Sequence, residues 1–183
     1  VGCGGLTITD EIRLTIAAQA CVLLLHRQTD YYPGLYSILV YPAAYVAKAT
    51  RHLAGGIVEE GFDVRLGESW HHGSVVLSWD AVRRDSADIR AGHNVALHEF
   101  AHQLDASAGQ GDNSAVLQRQ STFIAWARVL HKNFIKLQQD LSSNRPTLLG
   151  SYAGQNPAEF FAVATECFFE RPRDLQKTYP DLY

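Results

Sequence analysis

The chain has 183 residues, 46% hydrophobic and 19% charged, an ordinary globular composition long enough for one domain with its own core. A formal net charge of -3, with no basic run longer than the pair Arg83 and Arg84, excludes a phosphate-binding footprint and predicts no direct nucleic-acid partner. Cys3, Cys21 and Cys167 are far apart and form no CxxC pair, which argues against a disulfide framework or a cysteine-built zinc site and fits a reducing cytoplasm.

In chain order, the first element is TDEIRLTIAAQACVLLLHR, with Thr9 or Asp10 as N-cap and Ile12, Ile16, Ala20 and Leu24 on one helical face, a core helix. Its most apolar part, Ile16 to Leu25, is too short to cross a bilayer and is flanked by Arg13 and His26, so no membrane span is expected. After the turn YYPG, YSILVY reads as a buried strand, FDVRLGES as a second, and SVVLSW, Ser74 to Trp79, as a third. The third is either a plain core strand or an edge that aligns an extended peptide. His71 and His72 just before it are neighbours, and consecutive strand residues point to opposite faces, so they read as rim residues and not as a second metal pair.

From Asp80 the pattern turns helical, over about Ser86 to Asp105 and then about Ala115 to Leu141. In the second stretch Phe123, Trp126, Leu130, Phe134 and Leu137 recur at intervals of three and four, and the aromatic stripe Phe123, Trp126 and Phe134 is expected in the core. A looser run leads to NPAEFFAVATECFFE, where Asn156 reads as an N-cap and Pro157 as a first-turn proline. Strands early and helices late predict an α+β fold in a single domain over residues 1–183. The opening VGCGG has no methionine, and native residues are expected to precede Val1.

The chemistry concentrates in GHNVALHEFAHQLD, Gly92 to Asp105. His98 and His102 are four apart, hence on one helix face with Cβ atoms about 6 Å apart, and can present ring nitrogens to one zinc ion. Glu99, one position round, can serve as general base without binding the metal, which is the HExxH arrangement. Val95, Leu97, Phe100, Ala101 and Leu104 surround the pair with apolar groups, and burying the histidines and glutamate without partners would cost several kcal/mol. A metal supplies those partners. His93, five before His98, falls off the ligand face and reads as a helix-start residue.

A hydrolytic zinc site takes three protein ligands and keeps one open position. The metzincin extension is excluded, because Asp105 and Ala108 stand where it needs Gly and His. Asp105, His131, Glu159, Glu166 and Glu170 remain as candidates. Asp105, on the same helix, is better placed to orient an imidazole than to complete the coordination sphere. Glu159 and Glu166 lie seven apart and so nearly share a face of the late helix, and Asn156-Pro-Ala-Glu159 also has the outline of a capping box. Spacing alone does not choose between them.

With GHNVALHEFAHQLD and SYAGQNPAEFFAVATECFFERP both read, and ITDEIRLTIAAQACVLLL, YPGLYSILVYP and HHGSVVLSWDAV beside them, the chain resembles the MtfA family, the Mlc titration factor A peptidases, over nearly its whole length. That resemblance implies one zinc ion held by His98, His102 and the glutamate of a DPAE motif, which is NPAE here and selects Glu159. It also implies a zincin-like fold similar to the catalytic domain of anthrax lethal factor, and Tyr152 as a donor to the tetrahedral intermediate. Aminopeptidase activity on peptide substrates is implied with Glu99 as base, and enterobacterial members bind the glucose repressor Mlc, so a repressor of that type is an expected partner. The departure, Asn156 for the family's Asp, keeps the N-cap and leaves the ligand untouched.

Overall fold

The computed structural model describes residues 1–26, 31–52, 58–70, 73–107 and 116–183. Helix α1, Asp10–Val22, is capped by Thr9, whose hydroxyl accepts from the Ile12 N–H, and it buries Ile12, Ile16 and Ala20 as its periodicity requires. Strands β1 (Ser37–Tyr41), β2 (Tyr45–His52), β3 (Val58–Arg65), β4 (Gly67–Trp70) and β5 (Ser74–Ser78) follow. They form two small sheets. In one the order is β1-β5-β4, with β1 parallel to β5 in the register Val40 to Leu77, and β4 antiparallel to β5 in the register Glu68 to Val76. In the other, β2 and β3 pair antiparallel.

Helices α2 (Trp79–Ala87), α3 (Val95–Ser107), α4 (Val116–Ser142), α5 (Pro157–Glu170) and α6 (Pro172–Thr178) complete the α+β fold, with a 3₁₀ turn at Tyr152–Gly154 just before α5. One apolar cluster joins Ile12 and Ile16 of α1, Val75 and Leu77 of β5, and Val95 and Phe100 of α3. A second joins Phe134 and Leu137 of α4, Phe160 and Cys167 of α5, and Leu175 and Tyr179 at the end of the chain. The cleft described below lies where α3, from the first cluster, meets α5, from the second. Among the described residues no helix is long and apolar enough to cross a membrane.

Three expectations from the sequence change and one open choice is decided. The stretch FDVRLGES is not one strand: at Leu66 the chain leaves its pairing with β2 and resumes as β4 against β5. Of the two readings of SVVLSW the core strand holds, because among the described residues β5 is central, with β1 at one edge of the sheet and β4 at the other. The helix expected from Ser86 to Asp105 is broken into α2 and α3 by residues 88–94, where Gly92 has φ +77°, a conformation glycine adopts without a Cβ clash. A Cβ at Gly92 would also stand 2.6 Å from Arg171 Cδ. Finally, the aromatic stripe is only partly core: Phe134 is buried, while Trp126 is 39% exposed and leans edge-on against Phe161. The Phe123 side chain, His71 and His72 lie outside the described residues. Sequence reading also missed β2 and α6.

Candidate metal centre and catalytic cleft

Helix α3 starts at Val95 because Asn94 caps it: the Asn94 side-chain oxygen accepts from the Leu97 N–H at 3.1 Å and its carbonyl from the His98 N–H at 2.9 Å. The start of the helix is buried, so its remaining free N–H groups need partners. Carboxylates from two other helices supply them. Asp85 of α2 accepts from the Val95 N–H at 3.0 Å, Glu166 of α5 from the Asn94 N–H at 2.6 Å, and Glu170 of α5 from the Gly92 N–H at 2.8 Å. Negative groups at a helix N-terminus also favour its dipole.

One turn into α3, His98 and His102 point the same way, as four-residue spacing dictates. Helix α5 presents Glu159 to them. Asn156 caps α5 by accepting from the Glu159 N–H at 3.0 Å, so the backbone of Glu159 serves the cap while its carboxylate turns to the imidazoles. His98 Nε2 lies 3.0 Å from Glu159 Oε2, His102 Nε2 lies 3.1 Å from His98 Nε2, and His102 Nε2 lies 3.5 Å from Glu159 Oε2. A tetrahedral ion with bonds of about 2.0–2.1 Å sets its ligand atoms about 3.3–3.4 Å apart. The triangle formed by the three atoms fits that spacing, and the imidazole-imidazole-carboxylate set suits zinc.

The outer face of His98 is held by Glu166, whose Oε1 accepts from Nδ1–H at 2.7 Å. A proton fixed on Nδ1 leaves the Nε2 lone pair free for the centre. Burial pulls the His98 imidazole down, but its bonds to Glu159 and Glu166 outweigh that and carry it up to about 10. Burial likewise works against the Glu159 carboxylate, yet His102 and His98 hold its carboxyl far below the usual carboxylate range. The pocket is thus built for positive charge between these groups. Glu99 sits beside the triangle, 6% exposed, and burial pushes its carboxyl up to about 7 against the pull of the two histidines. Such a value suits a base working near neutral pH.

Tyr152 stands on the 3₁₀ turn, half exposed to the cleft, its ring 5.8 Å from that of His98. Burial, and then the Glu159 carboxylate, push its phenol up to about 12, so it keeps its proton to donate. The cleft holds about 830 Å³ and is walled by Leu66 to Ser69 at the edge strand, His93, and Leu149, Gln155 and Val163 on the far side.

The structure therefore brings His98, His102 and Glu159 together, with Glu99 and Tyr152 at the same cleft. It does not bring the other candidates to the triangle. His131 is exposed on α4, while Glu166 and Glu170 are spent on His98 Nδ1 and the start of α3. Asp105 is a correction: it is exposed and no hydrogen bond or ion pair joins it to either histidine, because three turns past Asn94 the helix has carried it to the solvent side. Glu166 holds the imidazole instead. His93 lies just outside α3, its side chain 64% exposed, with Nδ1 3.5 Å from Glu166 Oε2. Sequence reading missed Asn94 as the cap, although the Gly-x-Asn order at residues 92–94 carries the signal. It also missed Asp85, whose partner is a backbone N–H with no sequence signature.

The profile of the glucose-regulated metallo-peptidase M90 family matches residues 1–183. The chain is 41% identical to an uncharacterized protein of Synechocystis over its full length. It is 33% identical to the Mlc titration factor A of Pectobacterium atrosepticum over 97% of its length, and 29% identical to that of Yersinia pestis over 98%. It spans 67%, 67% and 66% of those relatives respectively. A whole-length family match, on a chain whose helices converge two histidines and a glutamate with metal-ligand spacing, settles the classification: the chain belongs to the glucose-regulated metallo-peptidase M90 family.

Proposed function

We propose that the protein is a zinc-dependent peptidase acting from the free amino end of peptides, with His98, His102 and Glu159 holding one zinc ion and Glu99 as general base. The observation that carries this reading is the donor triangle with the buried Glu99 carboxylate at the same cleft. When bound there, zinc would polarise the scissile carbonyl and acidify water. Glu99 takes a proton from the attacking water and passes it to the leaving amine. Glu166 keeps the His98 Nε2 lone pair aimed inward. Among the described residues β4 pairs with a strand on one side only and its residues line the cleft, so an extended peptide can pair against its other side.

The free-amine preference is supported by the resemblance to the Mlc titration factor A peptidases. Glu68 and Ser69 of the edge strand stand at the cleft wall beside the donor triangle, where polar groups can meet the amino end of a bound peptide, although Glu68 is itself ion-paired with Arg65 and the other cleft carboxylates serve the histidines or the base role. Three free cysteines and a peptidase of this kind fit a cytoplasmic location. Chelation is expected to abolish hydrolysis of an aminoacyl anilide and added zinc to restore it, with the N-acetylated anilide cleaved far more slowly. Activity that survives complete metal removal overturns the metallopeptidase chemistry; equal rates on free and blocked substrates overturn the aminopeptidase assignment.

Tyr152 donates to the oxyanion as the carbonyl becomes tetrahedral. Tyr152→Phe is expected to lower kcat by about 10²–10³-fold, the loss seen when one such donor is removed, with zinc content unchanged. Steady-state kinetics check this, and a wild-type kcat would take Tyr152 out of the mechanism. A second reading, titration of an Mlc-type repressor with the metal mainly structural, is favoured by the name that the Pectobacterium and Yersinia relatives carry.

A further inference from the structure

Gly67 opens the edge strand at the point where that strand meets the HExxH helix. A Cβ built on it would lie 2.6 Å from Glu99 Oε1, 2.7 Å from Glu99 Cγ and 2.8 Å from Val95 Cγ2. Its φ lies outside the left-handed region, so the backbone itself does not require glycine. The requirement is steric, and the group it protects is the carboxylate assigned as the base.

We propose that Gly67 is a positioning residue for catalysis: its missing side chain lets the edge strand lie directly against Glu99 and seat that carboxylate beside the reacting centre. This rests on the reading of Glu99 as general base.

What would give way to a methyl group decides the effect. Helix α3 is fixed, since Phe100 and Ala101 are fully buried, His98 is tied to Glu166, and the helix start is held by Asp85 and Glu166. Strand β4 is fixed by its ladder to β5, with Gly67 opposite Leu77, and by Gln103 Nε2 donating to Ser69 Oγ at 2.6 Å. Val95 is buried and β-branched, with little rotamer freedom. The soft element is the Glu99 side chain itself, which can rotate while both histidines stay in place. A methyl at position 67 therefore moves the base and spares the metal ligands. Misplacing a reacting group by about 1 Å costs on the order of 10²-fold in rate.

The test is Gly67→Ala in the zinc-loaded protein, assayed on an aminoacyl anilide, with metal content and Tm measured alongside. Expected is a kcat lowered by about 10- to 100-fold with KM and zinc content near wild type, and a larger loss for Gly67→Val. Gly34→Ala is the control, because a Cβ there meets nothing within 4 Å, and it is expected to keep the wild-type kcat. A wild-type kcat in Gly67→Ala overturns the proposal. So does a kcat that falls only in step with zinc content and Tm, since that is packing alone. Glu99→Gln separates the two levels: if that variant keeps its rate, the base assignment fails and Gly67 with it. If it is inactive while Gly67→Ala is fully active, only the positioning role fails.

Discussion

Glu99→Gln is expected to lower kcat by about 10²–10⁴-fold, the range supplied by a positioned general base, while the protein stays folded and zinc stays bound. Glutamine keeps the shape of the side chain but cannot accept the water's proton. Zinc content should not change, because Glu99 stands beside the donor triangle and contributes no atom to it. Removing its charge also leaves no buried carboxylate unpaired; burial already pushes that carboxyl up to about 7. Metal analysis and anilide kinetics on the same preparation check this, and a zinc-loaded variant hydrolysing at the wild-type rate overturns the assignment. The same variant divides the two functional readings. If titration of an Mlc-type repressor needs only the fold and a structural metal, repressor binding survives in Glu99→Gln while hydrolysis is lost.

Glu159→Ala is expected to abolish stable zinc binding, and with it hydrolysis, because it removes one corner of a three-atom site. Glu166→Ala should instead weaken zinc affinity by about 10- to 100-fold, the usual cost of losing the carboxylate that orients a ligand histidine. It has a second effect that Glu159→Ala lacks. The Asn94 N–H loses its acceptor at a buried helix start, a cost of about 1–3 kcal/mol, so Tm falls even in metal-free protein. Zinc titration and thermal unfolding of both variants measure these differences. Loss of zinc from Glu166→Ala with retention in Glu159→Ala would reverse the two roles.

The residues that could be read from sequence are those whose partners are local. His98 and His102 share a helix face by spacing alone, Asn156 caps α5 three residues from the N–H it accepts, and α1 buries the face that its period marks. The choice of Glu159 over Glu166 was not local: both lie on the face of α5 turned to α3, and only packing shows one at the imidazole Nε2 atoms and the other behind His98 at Nδ1. Strand β2 was missed because Tyr45–His52 mixes alanines with Lys48 and Arg51, weak strand formers whose pairing with β3 supplies what propensity lacks. The break at Gly92 was missed because apolar periodicity runs on through a glycine; its φ of +77° and the acids waiting for the freed N–H groups are tertiary facts. Asp105 failed for the converse reason, a sequence neighbour that the helix carries away from the site.

Glu159, Glu166 and Glu170 follow one another down a single face of α5, and each grips something different on the other side: an imidazole edge, a second imidazole nitrogen together with a backbone N–H, and the glycine turn before α3. The two apolar clusters of the molecule meet along that face. A cation at the triangle would thus act as a rivet between them, and its binding free energy would appear as resistance to their separation. Occupancy of the centre and the integrity of the seam become one equilibrium, so a change that loosens the seam away from the triangle, at Glu170 or Gly92, registers as lost affinity for the metal.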